Sequence, residues 1–500
     1  MSRRWPASAA SRLQVYAAQS RRVCSVASTT QGKTVINSSE TSVAHPVLPA
    51  PVPPRGRMSV WQFLNALRDS TISTFSQDAY ELDIVERKVL GRHLFVLSDP
   101  MAIKRVLLDQ VANYEKTEIT RRILEPGLGK GLITLEGDTW KAHRRTMSPS
   151  FDLRSVASYT PIMTAAAEEL MGAWRALGAG ASVDAADAMM EVTLRIISRT
   201  MFSSDSDDIM SIMGHAAGRY QATVLPNILD LLGVPKWLAG LGRNKAARRA
   251  FAEFDTVIDR LIESRVRDSR NAPKDLLARL IAARDEQTGG GMSAQEVRDH
   301  VITMFMAGHE TTAMAMTWTW FLLSQHPAAE ARLHAELDQV LGGRAPTQDD
   351  LAKLTYSRMV IEESMRLYPA VPAMEREALA EDTLSGLRVP KGSTVMIVPW
   401  VLHRHKKLWK NPERFDPERF SPEQSAARPR FSYLPFGGGR RICIGAAFAM
   451  AEATILLATL AQHFQLRVVP GHPVEPQAMI TLRSRHGMKM LLAPRATHHR

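Results

Sequence analysis

Cysteine is nearly missing from this chain: Cys24 and Cys443 are the two in 500 residues. Two thiols so far apart exclude a disulfide framework and any four-cysteine zinc or iron–sulfur site. The scarcity fits a reducing compartment. It also singles out Cys443, because a lone cysteine in a special setting is a candidate nucleophile or metal ligand. Acids are nearly missing from residues 1–57, where Glu40 stands against eight basic residues. That stretch supplies seven of the formal net charge of +12 and ends in the proline-rich run from His45 to Pro54. Arg-rich, Ser-rich and acid-poor composition is that of an organelle transit peptide. A solvated tail, or an over-extended start with Met58 as the true beginning, also fits. No stretch within it reaches the ~18 apolar residues a membrane span needs.

The rest is ordinary for a globular protein, with 45% hydrophobic and 23% charged residues. Length alone predicts two or three domains, since single cores seldom grow past roughly 250–300 residues. No internal repeat is visible. Beyond Met58 the pattern is mostly helical. Ser293-Ala-Gln-Glu296 has capping-box spacing, and Val297, Val301, Met304, Phe305, Gly308, Thr312 and Ala315 follow at helical intervals. Nothing interrupts them before His326-Pro327, so a helix of ~30 residues, ~45 Å long, is predicted. It should cross the core of a large domain. His309, Glu310, Thr311 and Thr312 at its middle argue against a membrane span. Further helices are predicted from Pro327 to Leu341, from about Ser357 to Leu367, and from beyond Cys443 to about Phe464. Short strands are predicted at Gly386-Leu-Arg-Val and Ser393-Thr-Val-Met-Ile-Val398.

The chemistry concentrates in Phe436-Gly-Gly-Gly-Arg-Arg-Ile-Cys-Ile-Gly445. The glycines specify tight turns and close backbone approach to something flat or bulky. Cys443 precedes a helix and neighbours Arg440 and Arg441, a setting that favours thiolate, the form that binds metal. Phe436, Gly439, Arg441, Cys443 and Gly445 together match Phe-x-x-Gly-x-Arg-x-Cys-x-Gly. This resembles the haem-binding loop of the cytochrome P-450 family. One thiolate suffices there because the porphyrin supplies the equatorial ligands.

Three other elements resemble that family in the same order. Trp140-Lys-Ala-His-Arg144 is similar to its Trp-x-x-x-Arg, where i,i+4 spacing lets both side chains reach one anionic group. Ala307-Gly-His-Glu-Thr-Thr312 resembles its oxygen-activating stretch. There Gly308 would remove bulk near the haem, and threonine would open a gap in the helix ladder. Glu363-Ser-Met-Arg366 resembles its Glu-x-x-Arg, with Arg419 in Phe415-Asp-Pro-Glu-Arg-Phe420 as third partner. Spacing alone allows Glu362 as well. The resemblance implies a mainly α fold with small β-sheets, a triangular single domain over 58–500 enclosing haem b. Residues 1–57 remain an extension.

It further implies a haem-thiolate monooxygenase that inserts one oxygen atom from dioxygen into an apolar substrate. Electrons would come from NAD(P)H through a separate ferredoxin or flavodoxin-type donor with its reductase. Cys443 would be the axial ligand, Glu310 and Thr311 the catalytic proton relay. Trp140, Arg144, Arg376, Phe436, Gly439, Arg441 and Gly445 would bind the cofactor. Lys141, Arg144, Arg145, Lys406, Lys407 and Arg440 could dock an acidic partner. A peroxide-driven hydroxylase, an isomerase and a non-catalytic haem sensor are alternatives, although members of those kinds commonly lack the acid–threonine pair kept here. The expectation is a monomer with no nucleic-acid partner and no membrane span. It would be cytoplasmic, or mitochondrial if residues 1–57 are a presequence.

Substrate contacts are expected from 113–133, 202–241, 370–374 and 478–481, where Ile119, Ile123, Leu124, Val371 and Ile480 suggest an apolar pocket. His143 and His403 are further conceivable haem partners, though lone histidines are usually structural. Gly127-Leu-Gly-Lys-Gly lacks phosphate-loop spacing. Asn37-Ser-Ser is a sequon, His498-His499 an adventitious metal site, and the Met314–Trp320 run core packing.

Overall fold

The computed structural model describes residues 46–56, 58–89, 91–203, 212, 214, 241–267 and 273–495. Cys24, Asn37, most of the basic extension, most of 202–241 and His498-His499 lie outside them. The helices that build the centre are α1 (Gly137–Met147), α2 (Leu153–Leu177), α3 (Ala185–Phe202), α4 (Leu241–Arg267), α5 (Ala294–Gln325), α6 (Pro327–Val340), α7 (Thr355–Leu367) and α8 (Ala446–Ala461).

α5 begins where its capping box predicts. The Ser293 hydroxyl accepts the Glu296 N–H, and the Glu296 carboxylate accepts the Ser293 N–H at 2.8 Å. It runs unbroken for 32 residues to the proline that opens α6. Three of its threonines bond their own helix: Thr311 donates to the Ala307 carbonyl, Thr317 to Ala313 and Thr319 to Ala315, at 2.7–2.8 Å. The expected gap in the ladder is therefore not formed, because the hydroxyls add bonds to carbonyls already in use. α5 packs on α3, and α2 on α8. Trp318 stacks on Tyr368 with centroids 4.1 Å apart and donates its indole N–H to the Leu482 carbonyl. The Met–Trp run is core, as its apolar composition suggests.

Sheet content is small. Strands β1 (Ile84–Val89), β2 (Arg92–Leu97), β3 (Tyr114–Glu115), β5 (Met374–Ala378) and β8 (Thr394–Ile397) form one sheet in the order β1-β2-β8-β5-β3. β4 (Ser182–Asp184), β12 (Lys489–Pro494) and β9 (Phe464–Val468) form a second. β6 (Asp382–Leu384) pairs with β7 (Leu387–Val389), and β10 (Pro476–Ala478) with β11 (Leu482–Ser484). β2 and β8 are parallel, a long-range pairing that no local turn signal announces.

The charged trio sits at the centre of this frame. Glu363 and Arg366 on α7 are both fully buried, with Arg366 Nε 2.6 Å from the Glu363 carboxylate. Arg419 Nε approaches the same carboxylate at 3.5 Å. Glu362, the alternative by spacing, faces Arg358 at 3.3 Å instead. Arg366 also donates to the carbonyls of His403, Pro412 and Arg414, and Glu363 accepts the Asp416 N–H. The pair thus gathers four points of the long irregular segment ahead of the cysteine loop. Glu363→Ala leaves a buried guanidinium uncompensated and is expected to cost about 3–5 kcal/mol. A thermal melt that does not move would contradict this.

Candidate functional site

The cysteine loop is shaped by its glycines. Gly439 has φ +65°, and a Cβ there would sit 2.0 Å from the Leu107 carbonyl oxygen. No other residue fits against the backbone at that point. The loop closes when the Cys443 N–H donates to the Phe436 carbonyl at 2.9 Å. Its entrance is fixed by His403, whose Nε2 accepts the Leu434 N–H at 2.8 Å. His403 is fully buried and its pKa is held far below the ordinary value, first by burial and then by Arg366. It is therefore a neutral structural acceptor, not a cofactor partner.

Cys443 is surface-accessible although protein hems it in, as a side chain lining an interior recess is. Burial pushes the thiol above its ordinary pKa, opposed by the Gly445 N–H and by the Arg144 charge. The surroundings alone thus do not favour thiolate, contrary to the expectation from the helix end and the two arginines. Ile442, Ile480 and Val371 are 44%, 42% and 36% exposed, apolar surfaces left uncovered.

Beside the cysteine lies a group of cations largely withdrawn from water, Arg376 buried and Lys116 and Arg441 partly buried. The Arg441 guanidinium lies 3.9 Å from the centroid of the buried Trp140 ring, donates to the Leu135 carbonyl, and pairs with Glu136. Arg376 on β5 is 9% exposed and bonds the Glu375 carbonyl. Lys116 reaches Glu136 at 3.2 Å. Burial is the first cause that lowers all three: Lys116 to about 7, Arg441 to about 10, and Arg376 below its ordinary value. Among the described residues Glu136 is the one carboxylate that hydrogen-bonds any of them, and the Glu375 side chain is occupied by Thr117 and Thr120. Such a group fits carboxylates brought in by a ligand. Arg144 stands apart from it. Its charge interacts with Cys443, while the Trp140 ring is faced by Arg441.

These residues fit a haem held by a cysteine. Among the described residues no group of three or more His, Cys, Asp or Glu could hold a metal. A metal at Cys443 would need its other ligands from a cofactor; haem would supply them, with two propionates of the charge that these cations suit.

On α5, the Glu310 and Thr311 side chains meet different partners. Successive helix residues face apart. The Thr311 hydroxyl bonds the Ala307 carbonyl, whereas the buried Glu310 carboxylate meets Thr481 at 2.5 Å and Arg483 Nε at 2.7 Å. A Cβ on Gly308 would meet Ile197 of α3 at 3.4 Å, so that glycine eases the helix crossing. Gly129 and Gly131 are likewise packing residues, pressed against Asp299 and Thr303 of α5. His143 bonds the buried His300 at 2.7 Å and faces Glu296, away from the cation group. The expected docking surface is largely self-neutralised: Lys141 pairs with Asp138, Arg145 with Asp285, Lys406 with Glu81 and Lys407 with Asp83.

Sequence reasoning held Lys116 and Thr481 only as parts of expected substrate-contact segments, and it missed Glu136, Arg483 and Glu452. The last is buried on α8 and pushed up to about 8 by burial, against a bond from Thr312. Only Glu136 carried a signal, four residues ahead of Trp140. No helix among the described residues is long and apolar enough to cross a membrane.

The family model for cytochrome P450 matches residues 51–489. The chain is 36% identical over 419 residues to cyclooctatin synthase of Streptomyces melanosporofaciens, covering 83% of this chain and 89% of that one. It is 34% identical over 395 residues to cyclooctat-9-en-7-ol 5-monooxygenase of the same organism, covering 78% and 83%. The crystal structure of the cytochrome P450DA heme domain superposes with a TM-score of 0.79 at 26% identity, covering 91% of this chain and 99% of that one. This chain belongs to the cytochrome P450 family. It is accordingly a P450 monooxygenase, an iron- and haem-binding oxidoreductase.

The Lys116 pKa, lowered on folding, has a consequence for stability. Between about 7 and the ordinary lysine value the unfolded chain binds the extra proton, so stability rises with pH across that window. In the haem-free chain Lys116→Met is expected to flatten this rise in melting temperature. An unchanged slope would show that Lys116 is not held neutral.

Proposed function

We propose that this P450 hydroxylates a cyclic, apolar hydrocarbon or an alcohol of low polarity, with Cys443 as axial ligand. The observation that carries the assignment is the pairing of Cys443, in its recess, with the largely withdrawn cations Lys116, Arg376 and Arg441 beside it. Haem bound there supplies the redox chemistry that activates dioxygen. Arg376, Arg441 and Trp140 would grip the propionate edge, and Arg144 would hold positive charge beside the sulfur. Gly439 and Phe436 shape the loop, and the Gly445 N–H donates to the sulfur. Thr311 and Glu310 would move protons from α5, the general-acid work of the reaction.

Uncovered Val371 and Ile480 favour an apolar ligand. The printed name cyclooctat-9-en-7-ol describes a ring compound bearing one hydroxyl, which narrows the class further. Electrons would come from NAD(P)H through a separate ferredoxin or flavodoxin-type protein. Four of the six cations expected to receive it are already ion-paired, while Arg440 is exposed and ion-paired to none of the described residues. Partner docking should therefore depend on salt only mildly.

Turnover of cyclooctat-9-en-7-ol and related ring compounds under isotopically labelled dioxygen tests the reading. The product should gain one labelled oxygen atom, and Thr311→Ala should lower product per NAD(P)H on the order of 10²-fold. Label arriving from water, or full yield in Thr311→Ala, would contradict it.

A further inference from the structure

Glu310 is clasped by the β10–β11 hairpin. Thr481 Oγ1 and both Arg483 Nε and Nη2 donate to one carboxylate oxygen, Oε1. The hairpin is anchored elsewhere as well. Ala478 N–H donates to Ser70, the Leu482 carbonyl accepts from Trp318 on α5, and the Leu482 N–H donates to the Ala370 carbonyl at 2.9 Å. That last bond ties together the two segments that carry the uncovered apolar residues Ile480 and Val371. Ile480 is thus next in sequence to the residue that grips the buried acid. A ligand pressing on the tip at Ile480 acts on Thr481 directly and on Arg483 two residues further along the chain, in β11.

The clasp is poorly suited to a merely structural staple. Arg483 is 34% exposed while Glu310 is 8% exposed, so release rehydrates the guanidinium but leaves the buried carboxylate short of partners, a state that favours its taking up a proton. A carboxylate whose Oε1 receives three donors is also poorly placed to pass protons along α5.

We propose that Thr481 and Arg483 are positioning residues that latch Glu310 to the hairpin, and that substrate contact at Ile480 releases it. The latch makes proton delivery depend on substrate occupancy. It rests on the monooxygenase reading above. In the productive reaction a substrate C–H, dioxygen, two electrons and two protons give an alcohol and water. Without substrate, dioxygen with two electrons and two protons leaves as hydrogen peroxide, the electrons again coming from NAD(P)H through the partner. A closed latch slows this second route by withholding protons.

The test uses haem-loaded wild type, Arg483→Gln, Arg483→Lys, Glu310→Gln and the Glu310→Gln/Arg483→Gln double variant, supplied with NADPH, a ferredoxin and its reductase. Peroxide release is measured without substrate, and each protein is melted. Arg483→Gln should release peroxide about threefold or more faster than wild type. Arg483→Lys should stay near wild type, and the double variant should fall to the Glu310→Gln level. Melting-temperature changes in the cycle should be non-additive, the mark of a direct pair. Unchanged release in Arg483→Gln, an equal rise in the double variant, or additive melting shifts would overturn the latch. Wild type that oxidises NADPH without taking up dioxygen would remove the oxygenase reading itself, and the latch with it.

Discussion

The buried ion pair between Glu363 and Arg366 is the constraint on which the site depends. Two full charges at zero exposure are tolerable only with dense hydrogen bonding, and Arg366 obtains it from three backbone carbonyls. One of these belongs to His403, whose ring in turn holds the Leu434 N–H. Leu434 lies two residues ahead of Phe436, where the cysteine loop begins. Hydrogen bonds joined by short stretches of backbone therefore connect α7 to the cysteine loop. The pair acts less as a source of net stability than as a fixed point for a segment without regular structure.

A second constraint is electrostatic. Lys116, Arg376 and Arg441 are largely withdrawn from water with, among the described residues, a single hydrogen-bonding carboxylate, and burial depresses each of them. The arrangement costs free energy unless anionic groups arrive, which links cofactor uptake to the stability of the folded chain. The neighbouring thiol shows the same dependence with opposite charge: burial favours its neutral form until a cation approaches. Site and cofactor complete each other.

Much of this was legible in the sequence because the relevant signals are local. The Ser293 capping box and the proline after His326 bounded α5 to within a residue or two. Gly439 and Cys443 announced the loop, since a positive φ against backbone admits only glycine. The choice of Glu363 over Glu362 came from family pattern and not from spacing. What stayed hidden depends on contacts made across long separations. Lys116 and Arg483 are ordinary basic residues until β3–β5 pairing and the β10–β11 hairpin carry them to Glu136 and Glu310. The neutralised docking surface was hidden for the same reason, as Lys406 and Lys407 meet acids more than three hundred residues away.

The carbon monoxide spectrum of the reduced protein tests the central claim most directly, because it reports the atom that ligates the iron. Cys443 held in its loop by the Phe436 carbonyl and the Gly445 N–H should give the band position of a thiolate-ligated haem, and Cys443→Ser should lose it. A wild-type band at the position of a histidine-ligated haem would contradict the account.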